Sequence, residues 1–167
     1  MGMVDDRVVL VTGGGGGIGR AASLAFAREG AAHVVVADID PSTAASTVEQ
    51  VEAAGGSASA GEVDVTDEEA VAGMVAEIVD RHGRLDAAFN NAGINHPSTA
   101  FHELDRDSWE EMLATNLTSV FLCMKHELRQ MSAQDSGGVI VNTSSGAGVV
   151  PAVGQLTTRR PSMESWV

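Results

Sequence analysis

Apolar residues along this chain come in short β-branched runs, which alternate with longer stretches of three- and four-residue spacing. Arg7 to Thr12 is the first run and ends in glycines; Gly19 to Glu29 then carries helical spacing and closes at Gly30. His33 to Asp38 repeats the strand pattern. Asp40 with Pro41 forms an N-cap and first-turn pair for a helix that stops at Gly55 and Gly56. Ser57 to Val65 holds a third strand. Thr66 reads as the next N-cap, because Asp67, Glu68 and Glu69 behind it suit a helix dipole, and that helix reaches His82 and Gly83. Leu85 to Asn90 is a fourth strand. Beyond a loop through Pro97, one long helix is predicted from Asp105 to about Ala133. Its expected buried stripe is Trp109, Met112, Leu113, Leu117, Val120, Phe121, Met124, Leu128 and Met131. Val139 to Asn142 supplies a fifth strand after Gly137 and Gly138.

Strands alternating with helices, and apolar on both faces, predict an α/β fold with a parallel sheet between helix layers. The 167 residues, 44% of them hydrophobic, suit one folded domain, expected over residues 1–155 with a divergent tail at 156–167. A formal net charge of −13 leaves no basic face for a phosphate backbone or an anionic membrane, so neither nucleic acid nor membrane is an expected partner. No apolar stretch approaches a membrane span, and Met1 to Arg7 does not resemble a signal peptide, so a cytoplasmic protein is expected. Cys123 is the only cysteine, which excludes an internal disulfide; it sits in an apolar run and is expected in the core. His96 and His102 lack a partner to complete a metal set and are expected at the surface, and Lys125 reads as a solvated or snorkelling side chain.

Candidate chemistry starts at the turn Thr12-Gly13-Gly14-Gly15-Gly16-Gly17-Ile18-Gly19, between the first strand and its helix. Backbone N–H groups and the helix dipole at such a turn favour a pyrophosphate, and glycine permits the tight turn and the close approach. A glycine run alone is also compatible with a structural loop. Asp38, at the end of the second strand, adds a carboxylate able to accept from both ribose hydroxyls of NAD and to repel the extra phosphate of NADP. NAD is therefore the expected cofactor. Arg20, in the first helical turn, keeps NADP open unless it packs or pairs there.

The spacing Thr12, Gly13, Gly17, Gly19 resembles the T-G-x-x-x-G-x-G turn of the short-chain dehydrogenase/reductase family. Further motifs agree in order: Asp64-Val65, Asn90-Asn91-Ala92-Gly93, Asn116, and Val139 to Ser145. The resemblance covers residues 5 to about 155. It implies a Rossmann-type doubly wound parallel sheet with helices on both faces, here missing its C-terminal strands, and an NAD-dependent oxidoreductase interconverting an alcohol and a ketone. Gly13, Gly17, Ile18, Gly19, Asp38, Asp64, Val65, Asn91, Ala92 and Gly93 are the implied cofactor-binding residues. Asn116 and Ser145 are the implied catalytic residues, Asn116 holding a water in a proton relay and Ser145 bonding the substrate oxygen. Each also has a structural reading: Asp64 as a loop cap, Asn90 and Asn91 as turn amides. Asn116, among Leu113, Leu117 and Val120, needs hydrogen-bond partners wherever it is buried. Family members assemble as homo-oligomers through the long helix and a later one, an expectation weakened for this chain.

The family's acid–base residue is a tyrosine, with a lysine four residues on, yet the chain contains no tyrosine. The family pattern places it near Thr158. Codons for Thr158 to Val167 can be chosen that spell Tyr-Thr-Thr-Ala-Lys-His-Gly-Val-Val-Gly when read from the last base of codon 157. A reading-frame change before Thr158 is thus one explanation of the tail; a short relative with a divergent tail is the other. Without a phenol the acid–base step has no donor, so the alternative function is a non-catalytic dinucleotide-binding or partner-binding protein.

Overall fold

In the computed structural model, which describes residues 2–97 and 99–145, five parallel strands form one sheet. They are β1 (Val8–Thr12), β2 (His33–Asp38), β3 (Ala58–Glu62), β4 (Ala87–Asn90) and β5 (Val139–Asn142), in the order β3-β2-β1-β4-β5. The order reverses direction at β1, where β2 lies on one side and β4 on the other, so a crevice opens at the carboxyl ends of these strands. The α/β reading holds. The third strand is shorter than its sequence pattern and ends at Glu62; Val63, whose amide still donates to Asp38 O at 3.0 Å, and Val65 are buried core residues beyond it.

Helices α1 (Gly17–Arg28) and α2 (Pro41–Ala53) cover one sheet face, while α3 (Glu68–His82) and α5 (Ser119–Ala133) cover the other. Alternation along β1 divides the core accordingly: Val9 and Val11 pack toward Phe26, Ala44 and Val48, and Val8 and Leu10 toward Val71, Ile78, Cys123 and Met131. Cys123 is buried as expected. Val139 and Val141, register partners of Ala87 and Phe89, remain exposed, with no described helix over them.

Two expectations along the chain need correction. The cap of α3 is Asp67, not Thr66: the Asp67 carboxylate accepts from the Glu69 and Ala70 amides at 2.8 and 3.2 Å, while the Thr66 hydroxyl is turned back onto Asp64. The long helix is not one element. A π turn at Ala114–Thr118 separates α4 (Arg106–Leu113) from α5. Beyond it the buried face is Ser119, Leu122, Cys123, Glu127 and Met131. Of the expected stripe, Trp109, Leu117, Phe121 and Leu128 are exposed, Phe121 at 61%.

Candidate dinucleotide site

The crevice is a cleft of about 550 Å³ lined by the glycine turn, the ends of β2 and β3, the turn after β4, and α4 with the π turn. Seven of the expected cofactor residues line it: Gly13, Asp38, Asp64, Val65, Asn91, Ala92 and Gly93. Gly17, Ile18 and Gly19 stand at its edge, as the opening of α1, and Asn116 and Ser145 lie outside its walls.

Local chemistry explains how the turn is built. Gly13 adopts φ +62°, and a Cβ there would meet Ala92 Cα at 2.8 Å; a Cβ on Gly19 would lie 2.0 Å from the Gly13 carbonyl. Both glycines let backbone approach backbone. Thr12 Oγ1 accepts from the amides of Asn91 and Ala92, at 3.0 and 3.2 Å, and so fastens the turn after β4 to the end of β1. At Gly16 the α1 N-cap has no side-chain hydrogen bond and the first turn has no acidic residue. By contrast α2, α3 and α4 are each capped by an aspartate, Asp40, Asp67 and Asp105. The first N–H groups of α1 are therefore the ones left for an external anion.

Three carboxylates line the cleft: Asp38, Asp64 and Glu111. Asp38 Oδ2 accepts from the Gly15 amide at 2.8 Å and Oδ1 from the Asp40 amide at 3.1 Å, which holds the side chain beside the glycine turn. Asp64 Oδ1 accepts from the Thr66 amide and hydroxyl at 2.8 and 2.7 Å, so it serves as a loop cap and also faces the cleft. Arg20 is occupied: its guanidinium donates to Thr47 Oγ1 at 3.0 Å and to the Gly15 carbonyl.

Asn116 is exposed rather than buried on an apolar stripe. Its amide is nonetheless used, accepting from Ile94 N at 2.8 Å and donating to Ile94 O at 2.9 Å. It pins the loop after Gly93 to the π turn. Ser145 follows β5 and is exposed; two residues earlier, Thr143 N donates to Asn90 O at 2.8 Å and Thr143 Oγ1 to Asn91 Oδ1 at 3.2 Å. The strand that leads to the serine is thereby joined to the cofactor turn.

His96 is only partly exposed, its Nε2 3.2 Å from Glu111 so that it bridges the loop to α4, whereas His102 is exposed as expected. Lys125 pairs with Glu68 of α3 at 2.6 Å. Sequence reasoning missed Glu111 and Thr115 on the cleft wall, since nothing in their own local pattern marks them. Another omission is Glu127, wholly buried on α5, whose carboxyl is pushed up to about 7 by burial despite a hydrogen bond from Asn90. Burial likewise pushes the Cys123 thiol up to about 12, so it is inert as a nucleophile. Among the described residues no three His, Cys, Asp or Glu side chains gather as a metal site, and no helix is long and apolar enough to cross a membrane. The tail at 156–167, with its Thr158, lies outside the described residues.

A family model for short chain dehydrogenase matches residues 7–157. The 3beta-hydroxysteroid dehydrogenase of Mediterraneibacter gnavus is 43% identical over 149 residues, which are 89% of this chain and 53% of that protein. The cis-4-hydroxycyclohexanecarboxylate dehydrogenase of Sinomonas cyclohexanicum is 42% identical over 150 residues, 90% of this chain and 58% of that protein. A crystal structure of a short-chain dehydrogenase/reductase from Burkholderia xenovorans superposes with a TM-score of 0.87 at 41% identity, covering 93% of this chain and 62% of that one. The chain thus spans little more than half the length of the curated relatives it matches.

Proposed function

Since the chain belongs to the short chain dehydrogenase family, we propose that it carries the NAD-binding portion of an oxidoreductase that interconverts a ring-borne secondary alcohol and its ketone. The observation that carries this is the uncapped start of α1 opening beside a cleft that Asp38 lines next to the glycine turn. Uncapped N–H groups favour a pyrophosphate, and Asp38, with Asp64 and Glu111 nearby, favours ribose hydroxyls over a 2′-phosphate. Arg20, tied to Thr47 and Gly15, offers no counterweight. The ring-alcohol class comes from the two relatives, whose names both place the hydroxyl on a ring. A cytoplasmic location fits such a substrate and cofactor.

Bound NAD supplies a hydride acceptor. The chain's own residues then divide the remaining work. Gly17 to Gly19 approach the phosphates, Asp38 holds the adenosine ribose, Asp64 and Val65 flank the adenine, and Asn91 to Gly93 support the nicotinamide side. Asn116 fixes the loop at Ile94 and so shapes that side of the cleft. The Ser145 hydroxyl bonds the substrate oxygen. Proton transfer at that oxygen needs a phenol, and the 167 residues contain none. That absence favours a second reading, in which this chain binds the dinucleotide without turning substrate over.

Fluorescence titration of the 167-residue chain with NADH and NADPH tests both. NADH binds, NADPH binds at least about tenfold more weakly, and D38A narrows the gap. Absence of NADH binding overturns the dinucleotide reading, and turnover of a ring alcohol with NAD overturns the requirement for a phenol.

A further inference from the structure

Under the turn that follows β4 lies a carboxyl group with no part in the chemistry above. Glu127 has 0% exposure, and Asn90, at 3%, donates to Glu127 Oε2 at 2.9 Å and to Asn142 Oδ1 at 3.0 Å. Asn142 in turn donates to Met124 Sδ, one turn before Glu127 on α5, at 3.2 Å. A cluster buried at Glu127 and Asn90 and open to solvent at Asn142 therefore joins α5 to the last residues of β4 and β5. A leucine or methionine would fill the place of Glu127 without the cost of desolvating a carboxyl, so packing does not account for the residue. Glu127 Oε1 and Asn90 Oδ1 are both buried without a hydrogen-bond partner among the described residues. Two orphan acceptors on a bonded, buried pair of side chains are unfavourable, and a proton on the carboxyl turns one of them into a donor.

We propose that Glu127 is a positioning residue for the cofactor turn. Through Asn90 and Asn142 it sets the spacing between the ends of β4 and β5, from which Asn91 to Gly93 face the cleft and Thr143 to Ser145 emerge. The functional half of this inference rests on the dinucleotide reading, and the geometric half does not. Displacement of Asn90 would reach both strands at once. Asn90 O holds the Thr143 amide, and the next residue, Asn91, is bonded to Thr12 Oγ1 by its backbone and to Thr143 Oγ1 by its side chain.

Burial favours the protonated carboxyl and has raised its titration to about 7, against the lowering effect of the Asn90 hydrogen bond. Cys123, one turn earlier, is a titratable neighbour that feels the Glu127 charge, and its thiol stays protonated up to about 12. Among the described residues of β4 and β5, Asn90 donates to the carboxyl and Asn142 stands behind Asn90, and the α3 carboxylate that meets α5, Glu68, is engaged by Lys125 and His126.

The test compares E127Q and E127L in the 167-residue chain. Three quantities are followed: stability to urea, the backbone amide NMR shifts of Asn91, Ala92 and Thr143 without cofactor, and NADH affinity at pH 6 and pH 8. E127Q keeps the amide shifts and binds NADH within about twofold of wild type; E127L is at least as stable, yet moves those shifts and weakens NADH about tenfold. Wild-type affinity falls from pH 6 to pH 8 more than that of E127Q. E127M, closer in length to glutamate, carries the same comparison where E127L does not fold. Unchanged shifts and affinity in the apolar variant overturn the proposal, as does a loss of affinity that only tracks lost stability. Where wild type binds no NADH, the cofactor reading is what fails, and the amide shifts alone decide the role of Glu127.

Discussion

At Glu127, burial couples the stability of the fold to pH, and the sign follows from the direction of the shift. The folded carboxyl titrates at about 7 against an ordinary value of 4.5, so between these values the native state holds a proton that the unfolded chain has released. Stability from this group is fully present below pH 4.5 and is lost as pH rises through 7, by at most about 3 kcal/mol. The urea midpoint of wild type is therefore expected to fall relative to that of E127Q between about pH 5 and pH 7.5, and to run parallel to it above. A difference that is flat across this range shows the carboxyl to be ionised throughout. Glu127 was invisible in the sequence because its significance depends on Asn90 and Asn142, which lie far away along the chain. Asp38, Asp64 and Asn91 were legible because each lies at or just beyond the end of a strand within an ordered set of motifs. The Thr12 hydroxyl, which fastens β1 to the turn after β4, was named only as a motif letter.

Helix ends carry the functional information at the next scale. Gly16 sits at an extended φ of −155°, and a Cβ there would meet nothing within 4 Å, so a capping residue fits. G16D is expected to leave the stability of the free chain within a few tenths of a kcal/mol while weakening NADH more than about tenfold, because the new carboxylate takes the N–H groups and repels the pyrophosphate. Urea melts and an NADH titration check the pair of effects; equal binding by G16D removes the start of α1 from the cofactor site. Strand periodicity was easy to read since β1 and β2 are β-branched and lie between two helix layers. The phase of α5 was not, for two physical reasons. A π turn widens the helix at Ala114–Thr118 and breaks the three-and-four spacing, and the face that is actually buried includes Ser119 and Glu127, which a hydropathy pattern counts as outward.

For the molecule as a whole, the two sides of the sheet are unequal. α3 and α5 complete one core, whereas on the other face Val139 and Val141 lie open among the described residues, Val139 at 63% exposure, and Leu117, Phe121 and Leu128 add apolar surface on the helix. The family match stops at residue 157, where codons can be chosen that spell Tyr-x-x-x-Lys in an alternative frame. A frame change there remains our proposal for the tail; the gene's nucleotides after codon 157 are expected to spell that pair in a second frame, and their failure to do so leaves a divergent tail as the explanation. Asp38 carries a last consequence. Beside the ribose role we propose for it, its carboxylate accepts from the Gly15 amide and so anchors the glycine turn to the end of β2. Replacing it to admit NADP removes the repulsion and releases that anchor together, so conversion of the cofactor preference is a two-site redesign, with a new acceptor for Gly15 as its second half.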